Sequence, residues 1–191
     1  MAEKIPVRET TNWDSFPSRL RRSTLHPEVT FRRRPGWFAS LGATTPPPPG
    51  ATVLDAGDAD LDPITLHQGE PGPRVTAGGA RVVPVYESTE GGTVGVPTGR
   101  IFVRFEPAAR AADRRELLEQ LGLRIVQVPR YAPQSVWVED VMGRIDRALG
   151  RVKDLEALDG VENVEPQLLS PKAARPDPTP APTIPRGKPG K

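Results

Sequence analysis

The segment that decides the predicted fold is Arg100-Ile-Phe-Val-Arg-Phe-Glu106. Successive side chains of a β-strand point to opposite faces, so Ile101, Val103 and Phe105 share one face of this segment. Phe102 falls on the opposite face. The alternation predicts a strand that turns one face towards a hydrophobic core and leaves an aromatic side chain on the other.

Five further elements are predicted after this strand. One helical run ends at Gly122, a residue that suits a helix C-cap, and a second covers about residues 144–158. Further strands are predicted at residues 123–128, 135–139 and 161–165. The order β-α-β-β-α-β is that of the split βαβ motif. The predicted fold class is therefore α+β, a ferredoxin-like βαββαβ sandwich with disordered or extended N- and C-terminal arms.

Proline and glycine are concentrated outside this stretch. The chain of 191 residues has 24 prolines and 18 glycines, a share near the range that indicates low-complexity segments. Residues 1–79 are expected to form a mostly irregular arm rich in Arg, aromatic residues, Pro and Gly. Residues 80–97 predict an extra edge strand and a turn, since Pro84 cannot donate a ladder hydrogen bond. Residues 98–171 are the ferredoxin-like domain, and residues 172–191 a disordered proline-rich tail.

Composition excludes several classes of site. The chain has no cysteine, so a disulfide framework, a thiolate zinc site and a cysteine nucleophile are impossible. The net charge of +2 favours no particular partner. No secretory signal and no long apolar run is visible, so a cytoplasmic protein without a membrane partner is expected, with export by another route left open.

Arginines and aromatic residues are interspersed in residues 1–45. Such a segment can bind nucleic acid through phosphate pairing and base stacking. It can equally be a disordered arm with short sticky segments, which its low hydrophobic density favours. Nucleic acid is therefore not an expected partner.

No catalytic or metal-binding constellation is recognisable. The segment Asp58-Ala-Asp60-Leu-Asp62 has only the opening spacing of an EF-hand calcium loop, and Pro63 follows it. His26 and His67 have no partner at metal-ligand spacing, and a base needs an ordered partner. We therefore expect no metal, no cofactor and no catalytic residue, and the chain is not expected to be an enzyme.

The predicted sheet has one open face. In a split βαβ unit both helices cover the same side of the sheet, and the first and third strands are central. Phe102 and Trp137 should then lie side by side on the uncovered face, and an exposed aromatic pair is a signal of a binding site. The alternative is that the N-terminal arm folds over them.

Three segments resemble a known family. Thr98-Gly-Arg-Ile-Phe-Val-Arg-Phe-Glu-Pro107, Leu117-Leu-Glu-Gln-Leu-Gly122 and Leu158-Asp-Gly-Val-Glu-Asn-Val-Glu-Pro166 are similar to the N-terminal prodomain of subtilisin-like serine proteases. The resemblance is to the fervidolysin-type prodomain and the subtilisin propeptide/inhibitor family, and it covers about residues 98–171. It implies a ferredoxin-like unit that docks its open sheet face on two surface helices of the protease. It also implies the roles of intramolecular chaperone and inhibitor.

The resemblance assigns two groups of site residues. The protease-docking face would contain Phe102, Arg104, Trp137 and Glu139. The cleft-binding segment, which would add to the cleft by β-augmentation, would be Leu168, Leu169, Ser170, Pro171, Lys172 and Ala173. The family's catalytic Asp, His and Ser motifs do not follow, so the protein acts on a separate subtilisin-like protease, is a truncated precursor, or has reused the fold. It is expected to be a monomer when free.

Two other functions remain open. One is a structural or adaptor domain that binds other proteins. The other is a single-strand nucleic-acid binder of the RNA-recognition type, which stacks bases on aromatics of its central strands. The sequence Ser135-Val-Trp-Val-Glu139 lacks the Lys/Arg-Gly-Phe pattern of that module, and its acidic end would repel phosphate.

Overall fold

The structure is a computed structural model that describes residues 13–42, 52–54, 63–72, 75 and 79–170. Within these ranges the strands are β1 (Arg19–Arg21), β2 (Thr30–Leu41), β3 (Thr52–Leu54), β4 (Ile64–Gln68), β5 (Arg81–Ser88), β6 (Val94–Phe105), β7 (Leu123–Gln127), β8 (Ser135–Asp140) and β9 (Val161–Leu169). The helices are short: α1 (Arg115–Gln120), preceded by a 3-10 helix (Ala111–Arg114), α2 (Ile145–Gly150) and α3 (Val152–Glu156).

The nine strands form one antiparallel sheet. Its order is β3-β4-β2-β5-β6-β8-β7, and β1 pairs with β2 and β9 with β6. The predicted fold class is wrong: the chain is mostly a large antiparallel sheet with short helices, and not a ferredoxin-like βαββαβ sandwich with disordered or extended arms. The error has its origin in the N-terminal half, where four strands join the sheet through β5 and β6.

The N-terminal strands form because their apolar side chains meet on a shared core. In β2 the ladder is interrupted between Arg33 and Phe38 by a register shift, and Gly36 has a φ of 70° within that bulge. A bulge of this kind lets a strand continue past an irregular segment. The buried residues of this core are Leu20, Phe31, Ala39, Leu41, Leu54, Ile64, Leu66, Val83, Val85, Tyr86, Val96, Ile145 and Leu149.

Strand β6 joins this core to a second one. Val96 belongs to the N-terminal core, whereas Ile101, Val103 and Phe105 belong to the C-terminal core. Between them Gly99 has a φ of 88°, and a Cβ there would lie 3.0 Å from Cγ1 of Ile145. Helix α2 therefore packs directly on the backbone of β6, at the point where the strand passes from one core to the other.

The C-terminal strands and helices were predicted correctly as elements. The helices cover one face of the C-terminal strands. The core between them consists of the buried residues Ile101, Val103, Phe105, Ala111, Leu118, Leu123, Val136, Val138, Ala148, Leu155 and Val164. The second predicted helix is divided into α2 and α3 after Gly150, a residue that weakens a helix. Gly122 follows α1 with a φ of 74°, as expected of a C-cap glycine.

Two strands differ from their predicted position or length. Strand β5 is not an edge strand, because it pairs with both β2 and β6. Its pairing with β6 is limited to Tyr86 and Glu87, so Pro84 lies where only β2 is a neighbour. Strand β9 continues past Pro166 to Leu169, since the proline nitrogen can face the outer edge of the sheet. Among the described residues, no helix is long and apolar enough to cross a membrane.

Candidate functional site

The central feature of the candidate site is an aromatic pair on the sheet face opposite the helices. Phe102 of β6 and Trp137 of β8 are direct cross-strand partners, with ring centroids 5.2 Å apart and an angle of 60° between the rings. Both side chains are half-buried, whereas their neighbours Val103 and Val136 are fully buried on the other face. The predicted adjacency of the two aromatics is confirmed.

Two pairs of opposite charges flank the aromatic pair, and Glu165 of β9 is a further cross-strand partner of Phe102. Nε of Arg104 lies 3.0 Å from Oε2 of Glu162, although its N–H does not point at the carboxylate, so this contact is an ion pair and not a hydrogen bond. Nε of Arg124 donates a hydrogen bond to Oε1 of Glu139 at 2.9 Å. Apolar side chains surrounded by paired charges are typical of the centre and rim of a protein interface.

The segment predicted to bind a protease cleft begins inside the sheet. Leu168 and Leu169 pair with Pro97 and Val96 of β6, and both leucines pack against the N-terminal core. Ser170 is exposed. Pro171, Lys172 and Ala173 lie outside the described residues. The two leucines are therefore structural parts of β9 and are not available to enter a cleft.

A segment before β2 closes the outer edge of β9. The backbone N–H of Thr24 donates to the carbonyl of Val164 at 3.1 Å, and the N–H of Val164 donates to Oγ1 of Thr24 at 3.1 Å. The backbone N–H of Leu25 donates to Oδ1 of Asn163 at 3.4 Å. We call these contacts the Thr24 clasp. They satisfy backbone groups that an edge strand otherwise offers to other chains.

The two histidines have no catalytic environment. Nε2 of His67 lies 2.9 Å from Oγ of Ser40, and the imidazole stacks on Phe38 with centroids 4.5 Å apart. Both members of this Ser–His pair are buried, and burial lowers the pKa of His67. A buried, neutral imidazole that no substrate can reach is a structural group. His26 is exposed, and its Nδ1 lies 3.4 Å from Oε1 of Glu28.

An ion pair orders the turn before α2. Arg144 donates to the carboxylate of Asp146 through Nε at 3.0 Å and through Nη2 at 2.6 Å. This hydrogen bonding lowers the pKa of Asp146. Oδ1 of Asp140 accepts the backbone N–H groups of Met142 and Arg144 at 2.9 and 3.1 Å. Because these groups satisfy one another, the cluster stabilises the turn and offers no free base.

A groove in the N-terminal strands was missed from the sequence. It has a volume of about 410 Å³ and is lined by Trp13, Ser18, Arg33, Arg34, Trp37 and Pro84, among others. The available signal was the spacing of Arg32-Arg-Arg-Pro-Gly-Trp37, in which the Pro-Gly pair indicates a bend that turns the tryptophan back towards the arginines.

Within the described part of the chain, no three His, Asp or Glu side chains are grouped to hold a metal ion. Asp58, Asp60 and Asp62, considered above for calcium, lie outside the described residues. Comparisons with models of protein families, with curated proteins and with solved protein structures found no match to this chain.

Proposed function

We propose that this chain is a non-catalytic domain that binds and inhibits a subtilisin-like serine protease in trans, and that it can assist the folding of that protease. The observation that carries the proposal is the pair of Phe102 and Trp137 on the helix-free face of the sheet. The proposal does not depend on the ferredoxin-like fold class, which is wrong for this chain.

The aromatic pair has the properties of an interface centre. Large aromatic side chains contribute most of the binding energy in protein interfaces, and tryptophan is enriched at such positions. Phe102 and Trp137 lie on adjacent strands, so their positions are fixed before a partner binds. A preorganised surface loses less entropy on binding than a flexible one.

The class of partner comes from the sequence resemblance. The segments that carry it are neighbours in the fold: β6 pairs with β9, and the N–H of Glu106 donates to the carbonyl of Gly160 at 2.8 Å. Since Leu168 and Leu169 belong to β9, the part of the chain that enters a protease cleft in this proposal starts at Ser170. This position is two residues later than the sequence resemblance implied.

A single-strand nucleic-acid binder is less compatible with this face. Glu139 and Glu162 lie beside the aromatic pair, and Arg124 and Arg104 are already occupied by them. A phosphate group would have to compete with these carboxylates for each arginine. We therefore propose no nucleic-acid function for the Phe102–Trp137 face.

The test is a titration of the full chain into a purified subtilisin-type protease, with hydrolysis of a chromogenic peptide as the readout. We expect competitive inhibition. Trp137→Ala should raise the inhibition constant about 30-fold or more, because loss of a central aromatic typically costs at least about 2 kcal/mol of binding energy. Tyr131→Ala is the matched control, since Tyr131 is 91% exposed in the turn between β7 and β8 and should leave the constant unchanged.

Two results would overturn this proposal. One is the absence of both inhibition and assisted refolding of the denatured protease by the folded wild-type chain. The other is equal loss of inhibition in Trp137→Ala and Tyr131→Ala. The first result would leave a structural or adaptor domain as the better explanation of the aromatic face.

A further inference from the structure

We propose that the N-terminal strands carry a second binding surface, separate from the Phe102–Trp137 face, which takes single-stranded nucleic acid. We call it the arginine–tryptophan surface and define it by Arg19, Arg32, Arg33, Arg34, Trp13 and Trp37. It goes beyond the proposed function. The sequence argued against nucleic acid on the premise that residues 1–45 are irregular, and the structure shows that residues 19–21 and 30–41 are strands.

The first observation is an unbalanced concentration of positive charge. Residues 13–42 contain six arginines and two acidic residues, a net charge of +4, whereas the whole chain carries +2. Arg19 of β1 and Arg32 of β2 are direct cross-strand partners, and neither makes an ion pair with any described residue. Like charges placed opposite each other destabilise a sheet, and a bound anion would relieve that repulsion.

The acidic residues near this pair do not neutralise it. Glu87 is the cross-strand partner of Arg32 on β5. However, its carboxylate is directed to the turn between β5 and β6, with Oε1 3.8 Å from the position that a Cβ of Gly92 would take. Glu70 lines the groove itself, whereas Arg19 and Arg32 are not among its lining residues. The two arginines are exposed, so a polyanion can reach both.

The second observation is that aromatic rings lie close to the arginines of β2. Arg34 is two residues beyond Arg32, at the start of the irregular segment of β2. Its guanidinium lies over the ring of Trp37, with Cζ 4.5 Å from the ring centroid. Arg33 and Arg34 line the groove together with Trp13. Nucleobases stack on aromatic side chains and on arginine guanidinium planes, whereas an acidic peptide needs only the charges.

The groove is held in place by contacts within the chain. Nη1 of Arg33 donates to the carbonyl of Trp13 at 2.8 Å, and the hydroxyl of Tyr86 donates to the carbonyl of Pro17 at 2.7 Å. Trp13 also packs edge-to-face on Phe16, with centroids 5.8 Å apart. The segment from Trp13 to Pro17 is thus fixed against the sheet, and the wall it forms does not have to be ordered when a ligand binds.

The test is a fluorescence-anisotropy titration of the full chain with a labelled oligothymidylate of about 12 nucleotides, a length within the usual site size of single-strand binders. If Arg19, Arg32 and Arg34 each contact a phosphate, the affinity should fall about 20-fold between about 50 and about 200 mM salt. Arg19→Gln combined with Arg32→Gln should reduce that fall to about threefold. Trp13→Leu should weaken binding about fivefold or more, since base–aromatic stacking is lost.

Arg110→Gln combined with Arg130→Gln is the control, because both arginines are exposed in the C-terminal half and the net charge changes equally. This variant should bind as the wild type does. No binding at about 50 mM salt, or equal weakening in both arginine pairs, would overturn the proposal. So would competition by an acidic peptide of similar length that displaces the oligonucleotide equally well, since that would assign the surface to an acidic protein.

Discussion

Gly99 is the position where a single methyl group should disturb both halves of the fold. Its φ of 88° is a conformation that residues with a side chain rarely adopt, and an alanine Cβ would lie 3.0 Å from Cγ1 of Ile145. This contact is tighter than nine in ten of those that real Cβ atoms make, so the side chain of Ile145 would have to shift by a few tenths of an ångström. We therefore predict that Gly99→Ala lowers the free energy of unfolding through two separate effects.

The two effects can be given magnitudes. A left-handed backbone conformation costs a residue with a Cβ about 1–2 kcal/mol. Overpacking a well-filled core costs about a further 1–3 kcal/mol. The expected loss is therefore about 2–5 kcal/mol, against a total stability of about 5–15 kcal/mol for a typical domain. Gly36 provides the comparison, because its φ is 70° but nothing lies within 4 Å of a Cβ there. Gly36→Ala should cost only the conformational part, about 1–2 kcal/mol.

Urea unfolding followed by circular dichroism measures both losses. In an Ile145→Ala background the clashing Cγ1 atom is absent, so Gly99→Ala should there cost about as much as Gly36→Ala. Equal losses for the two glycine variants in the wild-type background would refute the packing argument. Strict additivity of Gly99→Ala with Ile145→Ala would refute it too, because residues in contact should show a coupling energy.

Two other predictions concern the histidine in the N-terminal core and the edge of β9. Burial lowers the pKa of His67 from its ordinary value of 6.5. Below pH 6.5 the unfolded state therefore binds more protons than the folded state. The free energy of unfolding should fall as the pH drops below 6.5, and it should become constant below the pKa of the folded state. Unfolding curves at several pH values should show this slope reduced in His67→Phe, and an unchanged slope in that variant would contradict the prediction. Thr24→Val should lower the free energy of unfolding in urea by about 1–2 kcal/mol, because the N–H of Val164 loses its acceptor Oγ1. The control is Thr93→Val, since Thr93 is exposed. An equal effect of the two variants would contradict the role of the Thr24 clasp.

The C-terminal strands could be predicted because their apolar residues alternate cleanly. Ile101, Val103 and Phe105 repeat with the period of a strand and are fully buried. The N-terminal strands have no such signal. In β2 the run of three arginines and the bulge at Gly36 interrupt the alternation, and β2 pairs with β4 and β5, which lie far from it in the sequence. The local sequence pattern does not show which distant strands pair. The strands Arg19–Arg21 and Thr30–Leu41 were therefore wrongly assigned to an irregular arm.

The two candidate sites also differ in how far the local sequence pattern could predict them. Phe102 and Trp137 could be placed side by side because each lies next to residues of clear inward orientation, Val103 and Val136. That a protease docks on them stays a prediction. The sequence placed the residues of the arginine–tryptophan surface in one segment, residues 1–45, but could not show which of them lie side by side. Recognition of that surface needed the register of β1 against β2, which pairs Arg19 with Arg32.

The Thr24 clasp sets an order on how the chain can fold during synthesis. Thr24 and Val164 are 140 residues apart, and a ribosome that adds about 5–20 residues per second needs about 7–28 s to cover that interval. Over this time the segment around Thr24 can form its local hydrogen bonds, but its partners Val164 and Asn163 have not yet been made. Contacts between residues so far apart in the sequence also slow folding. The chain loses the entropy of closing the loop before the contact contributes any stabilising energy. Strand β9, the last of the described strands, thus adds the final contacts to the segment around Thr24, whereas the segment from Trp13 to Pro17 is held by Arg33 and Tyr86 of earlier strands.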